Sequence, residues 1–353
     1  MAKIMLDCEL MKHRNSGLYQ YCLNVGNYVD RILQQHHSRD KIQYYVPAAE
    51  VNAFDNSSHC IVEKKLHKIV NPSLWDCDVW HAPFQSGRII PRNNKRTKVL
   101  LTIHDLNCLH EGKPVEEQKR SLHHTQKLID RADAIVCISE FCKNDVLTHC
   151  DVKNKTIHVI HNGTHRLHEP ELNTISYKPR APFLFGMGYV NRKKNFHVLL
   201  PMMKENDYEL IIAGRLDEPD YIDSIRKQAA ELGVEERVKL LGPVSESEKA
   251  WYLKHCLAYM HPSLAEGFGA PVVEAMAFGK PMFLSSYTSL PEIAGDVAFY
   301  FSNFEQDHMH SVFNEGMAIY QANGLSKRIM QKGSEYNWEN KAMEYLHVYR
   351  SLM

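Results

Sequence analysis

Twice along the chain, short apolar runs end on a glycine or a polar residue and give way to segments with apolar positions at helical spacing. In the first half, strands are expected at residues 1–7, 42–46, 78–81, 98–103, 134–138 and 156–160. Helical patterns intervene at Val115–Arg131 and Glu140–His149, and an earlier helix carries Leu18, Tyr21, Cys22, Val25, Tyr28, Val29, Ile32 and Leu33 on one side. The second half repeats the alternation, with strands at 183–188, 211–213, 240–242, 282–286 and 297–301 and a helix at 221–232. Such a pattern is satisfied by parallel strands covered on both faces and joined by right-handed crossovers. At 353 residues the chain is too long for one ordinary core. Two α/β domains are therefore expected, residues 1–170 and 180–336, with a linker carrying Pro170, Pro179 and Pro182 between them.

Composition excludes several classes of function. Lys+Arg and Asp+Glu both number 42, so no global charge drives nucleic-acid binding. The 9 cysteines show no C-x-x-C pair and no zinc spacing, which reads as reduced thiols in a cytoplasmic protein. The opening apolar run is too short for a signal-peptide core, and no run approaches the ~20 residues of a membrane span. At most a peripheral contact with a membrane surface is expected, for which Lys95, Arg96 and Lys98 are the candidates.

The chemistry concentrates in the second half. In Glu266-Gly267-Phe268-Gly269-Ala270-Pro271-Val272-Val273-Glu274, seven residues separate the two glutamates. Pro271 suits a first helical turn, and Gly279 with Pro281 stops the helix. Glu266 then lies in a loop and Glu274 on the helix near its first turn. Backbone N–H groups at the loop and helix start favour an anion. Carboxylates beside such a cradle make sense as ligands of hydroxyls, a combination that a sugar nucleotide offers.

Upstream, Arg192-Lys193-Lys194-Asn195 follows a strand and precedes a helical pattern with Phe196, Leu199 and Leu200. Three successive cations there suit a diphosphate, with the helix dipole adding to them. Arg215, just after the next strand, is a second candidate cation. Gly186-x-Gly188 lacks the third glycine of a dinucleotide fingerprint, since Asn191 stands in its place. Ser245 with Glu248 forms a capping-box pattern after Gly242 and Val244.

In the first half, Ser16 is a candidate helix cap, and Gly17 permits close approach of a ligand to the backbone. His81 and His104 end strands, where open α/β sheets bind ligands. Of the two, His104 is the candidate for the site. Asp76-Cys77-Asp78 matches the D-x-D pattern of metal-dependent transferases but sits at a strand entry between Trp75 and Trp80, and is read as structural.

The Glu266-x7-Glu274 segment resembles that of retaining GT-B glycosyltransferases of family 4, in the subgroup of bacterial polysaccharide and lipopolysaccharide mannosyltransferases. Ile103-His104-Asp105-Leu106, Ser139-Glu140-Phe141, Asn162-Gly163 and Arg192-Lys193-Lys194-Asn195 match the family in the same order. The resemblance implies two Rossmann-like domains facing across a cleft, with a C-terminal helix at 337–353 crossing back to the first. It implies Glu266 against the donor sugar, Glu274 on the ribose hydroxyls and Lys194 on the leaving diphosphate. Gly242 and Val244 would lie near the base, Gly267, Phe268, Gly269 and Ala270 along the donor, and His104 opposite the sugar. Gly188 stands where many members carry an arginine, which leaves Arg192, Lys193 and Arg215 as candidates for the second phosphate cation.

The implied reaction is hexosyl transfer without a metal or cofactor, from a nucleotide sugar to a glycan or lipid-linked acceptor. GDP-mannose is the first donor expected and a UDP-hexose the next. A nucleotide-sugar 2-epimerase and a catalytically silent partner protein are the alternatives.

Overall fold

A computed structural model describes residues 2–14, 16–64, 67, 76–85, 91, 96–164 and 175–353. Asn15, Trp75, Lys95 and Pro170 lie outside the described residues. The chain divides into two compact units, Met1–Gly163 with Tyr336–Met353, and Thr164–Glu335.

The first unit is built on β1 (Lys3–Asp7), β2 (Lys41–Val46), β3 (Cys60–Val62), β4 (Val79–Ala82), β5 (Lys98–Ile103), β6 (Ala134–Cys137) and β7 (Thr156–Val159). All are paired parallel, in the order β3-β2-β1-β4-β5-β6-β7. Strands covered on both faces have no solvent side, so β4 and β6 are buried at every position, including His81. Helices α1 (Gly17–Gln35), α2 (Val115–Arg131) and α3 (Glu140–His149) supply the cover. Ser16 caps α1 by accepting from the Tyr19 N–H at 3.2 Å, and Ser139 caps α3 through Cys142. The D-x-D carboxylates are engaged at the strand entry: Asp78 accepts from the Lys3 N–H at 2.8 Å, and Asp76 pairs with the Lys3 ammonium at 2.6 Å.

The second unit has β8 (Phe183–Met187), β9 (Glu209–Ala213), β10 (Val238–Gly242), β11 (Ala258–His261), β12 (Met282–Ser285) and β13 (Phe299–Phe301), in the order β10-β9-β8-β11-β12-β13. Its helices are α4 (Pro219–Glu231), α5 (Glu246–His255), α6 (Ala270–Met276), α7 (Leu290–Ala294), α8 (Gln306–Asn323) and α9 (Leu325–Ser334). Both sheets are wound outward in two directions from their first strand, the Rossmann arrangement, whose ligands bind at the carboxyl ends of the strands.

One expectation fails here. The helix expected after the cationic loop is a series of 3-10 turns, at Arg192–Lys194, Phe196–Leu199 and Pro201–Glu205. Asn195 between the first two is left-handed (φ 59°), and Pro201 has no N–H to continue a ladder. The expected contribution of a helix dipole at Lys194 is therefore withdrawn.

Helix α10 (Trp338–Leu352) returns to the first unit and packs on α1. Its Tyr345 and Tyr349 are fully buried there with Tyr21 and Val25. Gly163 lies against the start of α10, where a Cβ would come within 2.6 Å of the Trp338 ring and backbone nitrogen.

Candidate functional site

In the second unit the strand ends gather the cations and glutamates. Gly188 follows β8, Gly214 and Arg215 follow β9, Gly242 ends β10 and His261 ends β11. Gly214 (φ 136°) backs onto the Gly188 carbonyl so closely that a Cβ would sit 2.0 Å from that oxygen. Gly188 (φ 148°) lies in turn beneath Lys194, whose Cε would be 2.9 Å from a Cβ. The glycine that stands where an arginine was expected thus clears the path of the Lys194 side chain.

Lys194 donates from Nζ to Glu266 Oε1, and the two side chains are 11% and 10% exposed. The same oxygen accepts from His261 Nε2 at 2.8 Å. His261 Nδ1 lies 3.1 Å from the Tyr259 hydroxyl. With Nε2 donating to a carboxylate, Nδ1 is the acceptor and Tyr259 donates to it. The Glu266 backbone is fixed from two sides, by Thr288 Oγ1 accepting its N–H at 2.9 Å and Ser289 Oγ donating to its carbonyl at 2.9 Å. The Leu264 N–H donates to the Lys193 carbonyl at 2.8 Å, which ties the two functional loops together.

The electrostatics follow from this arrangement. Burial works to raise the Glu266 carboxyl, but Lys194, with His261 and Lys193 behind it, outweighs burial and holds it well below the usual range. Burial pulls the Lys194 ammonium below the ordinary lysine range, against the attraction of Glu266. Burial also pulls His261 down, leaving it a neutral donor near pH 7. A buried ion pair of this kind is weak evidence for stability and better evidence for function.

The candidate second cations are placed differently. Arg215 is paired with Asp217, and its guanidinium lies 4.4 Å from the Tyr189 ring centroid. Arg192 Nε is 3.7 Å from Glu218, with the guanidinium 5.7 Å from the Tyr221 ring centroid. Lys193 bears electrostatically on Lys194, Glu266 and His261. Lys193 thus joins the centre, while each arginine is held by a neighbour.

Gly269, left-handed at φ 85°, precedes α6 as the helix start requires, and Gly267 and Phe268 are buried while Ala270 is the first residue of α6. Glu274 is the fifth residue of α6, just past its first turn. Its Oε1 accepts from Lys249 Nζ at 3.0 Å. Its Oε2 is buried with no hydrogen-bond partner among the described residues. Ser245 and Glu248 close the expected capping box at the start of α5, placing Val244, half-buried, just before it.

In the first unit, His104 donates from Nε2 to the Pro83 carbonyl at 2.8 Å, and Tyr21 meets its ring edge-on at 4.7 Å between centroids. Burial lowers its pKa to about 4, the Pro83 carbonyl opposing. It is therefore neutral, with Nδ1 left as an acceptor. Gly17 opens α1 at the surface, and a Cβ there would meet nothing within 4 Å.

His81 is sealed within the unit, its ring nitrogens 2.7 Å from the Tyr349 hydroxyl and 2.8 Å from Thr102 Oγ1. Burial lowers its pKa to about 3, with His104 adding to the effect. Unfolding would let it protonate near its ordinary 6.5, so the unfolded chain binds the extra proton between those values. Stability that is complete above pH 6.5 is expected to fall toward pH 3, by at most roughly 1.4 kcal/mol per pH unit. Urea midpoints for the parent and His81→Gln at several pH values check this, the variant showing the flatter profile.

His261, Thr288, Ser289 and Lys249 were not singled out from sequence. His261 had a usable signal, a strand-end histidine five residues before Glu266. The others depend on contacts between segments distant in sequence, which no local pattern reports.

Two family models match the chain in tandem, Glycosyltransferase Family 4 over residues 30–166 and Glycosyl transferases group 1 over residues 173–315. The chain is a GT-B glycosyltransferase of family 4. This glycosyltransferase is 24% identical over 309 residues to O-antigen chain mannosyltransferase B of Escherichia coli, covering 78% of this chain and 74% of that protein. It is 24% identical over 275 residues to the serotype-specific mannosyltransferase WbdA of Escherichia coli, covering 72% of this chain and about a third (33%) of the relative's length. Among solved structures it is similar to Anabaena Alr3699/HepE in complex with UDP-glucose, with a TM-score of 0.74 and 17% identity, over 99% of this chain and 100% of that one. That likeness shows the fold. Among the described residues, no helix is long and apolar enough to cross a membrane.

Proposed function

We propose that this glycosyltransferase moves a mannosyl group from GDP-mannose to a hydroxyl of a growing, lipid-linked glycan in surface-polysaccharide assembly, with retention of configuration and without a metal. The observation that carries the reading is the buried Lys194–Glu266–His261 centre on the carboxyl edge of the second sheet. The names of the relatives support mannose as the sugar and O-antigen as the class of product.

When the donor binds, Lys194 turns from Glu266 to the diphosphate, and Lys193 adds its charge. As the bond from the anomeric carbon to the diphosphate oxygen breaks, negative charge grows on that oxygen, where a fixed cation in a dry site acts most strongly. The acceptor oxygen bonds to the anomeric carbon from the face the diphosphate leaves, and its proton passes to the departing diphosphate. Glu266 keeps the His261 bond and accepts a sugar hydroxyl. With Oε1 still engaged by His261, Glu266 is placed as a hydroxyl acceptor. Glu274 takes the ribose hydroxyls, and residues 242–244 take the base. On the first unit taken by itself, His104 keeps Nδ1 as an acceptor for a ligand hydroxyl, and Gly17 leaves its backbone open to ligand.

Transfer from GDP-mannose, UDP-glucose and UDP-galactose to a lipid-linked glycan acceptor tests the reading, with product stereochemistry read by NMR. The expected result is mannose transfer with an α-linked product, unchanged by EDTA. Glu266→Ala is expected to lose about 10²- to 10³-fold in turnover. Parent-like turnover in a folded Glu266→Ala protein would overturn the assignment.

A further inference from the structure

Glu274 presents an unusual pair of oxygens. Oε1 is bonded to Lys249, while Oε2 is buried and unpartnered among the described residues. A buried carboxylate oxygen without a donor is costly and uncommon, and a missing ligand is one physical reason for it. Lys249 is itself only 7% exposed and is held on its other side by Glu246 Oε2 at 2.7 Å. We propose that Lys249 is a positioning residue for nucleotide recognition. By fixing Oε1, it reserves Oε2 for the ribose hydroxyls of a nucleoside diphosphate. The inference rests on the reading of Glu274 as the ribose ligand given above.

Two features of α5 support it. Its start is clamped by the capping box of Ser245 and Glu248, and the Lys249 N–H donates to the Ser245 carbonyl at 2.9 Å. The turn of Gly242 (φ 74°) leads directly into that cap. The segment proposed for the base and the lysine that holds the ribose carboxylate are thus one continuous, capped piece of chain. The charges agree with the geometry. Burial raises the Glu274 carboxyl above its ordinary range, and Lys249 is the main group pulling it back. Burial works to lower Lys249, and Glu274 with Glu246 outweighs it.

Calorimetric titration of the full chain with GDP and UDP, and with their 2′,3′-dideoxy counterparts, tests the proposal. The parent is expected to prefer the hydroxylated nucleotide by about 10- to 100-fold. In Lys249→Met that preference should shrink to about threefold or less, and Lys249→Arg should restore most of it. A purely structural lysine would weaken both nucleotides equally, so a folded Lys249→Met with the parent's ratio overturns the inference alone. A parent without any preference overturns the ribose role of Glu274 and the inference with it. Thermal melting establishes that Lys249→Met is folded; if it is not, Lys249→Gln, which offers Glu274 a neutral donor, reads the same ratio.

Discussion

Replacing Lys194 with alanine is expected to lower turnover by about 10²- to 10³-fold while leaving the second unit folded. The loss arises because Lys193 already contributes its own charge and neither arginine is placed to supply a second one. Arg215 is committed to Asp217 and Tyr189, Arg192 to Glu218 and Tyr221, and each would have to break those contacts first. Glu266 loses its principal cation in the variant, and burial then favours its protonated form. Protonation spares the protein an uncompensated buried charge, which is why the fold is expected to survive. Steady-state transfer with saturating donor, alongside a melting curve, makes the measurement. A folded variant within threefold of the parent rate would show that the diphosphate is neutralised elsewhere.

The largest expected effect on stability lies at Gly214. Gly214→Ala must place a methyl 2.0 Å from the Gly188 carbonyl oxygen, and must do so at φ 136°. The obstacle is backbone, not the end of a flexible side chain, so relief requires two strand ends to move apart. Those ends are coupled by the Gly188 N–H donating to the Ala213 carbonyl at 3.0 Å, and Gly214 is tied in turn to the end of β10 through the Gly242 carbonyl at 2.8 Å. Strain and overpacking together are expected to cost about 3 kcal/mol or more, seen as a large fall in the urea midpoint. Gly17→Ala is the informative contrast. With open space around it and no positive φ, it should change stability by less than about 0.5 kcal/mol. A loss of turnover in that variant would therefore report ligand approach rather than folding.

Strand positions were legible because fully covered parallel strands read as continuous apolar runs, as at 134–137 and 282–285. The short edge strand Cys60–Val62 was missed, since three half-buried residues carry no such signal. Lys194 and Glu266 were found as separate motifs, but their pairing across 72 residues was not. Periodicity likewise promised a helix at Phe196, Leu199 and Leu200, and those side chains are indeed buried, yet the backbone there is 3-10. Burial pattern reports which face is covered, whereas Asn195 and Pro201 decide how the chain winds. Glycines were the least legible. Gly188 looked like a missing arginine and is instead space for a lysine.

The return of α10 to the first unit has a consequence for how the protein is made. The interior that surrounds His81 is completed by Tyr345 and Tyr349, which a ribosome adds only after all of Thr164–Glu335. The second unit is a single uninterrupted segment, whereas the first must wait for a piece translated after it, with an uncovered flank on α1 and the sheet. On the nascent chain, the unit translated first is therefore the one finished last.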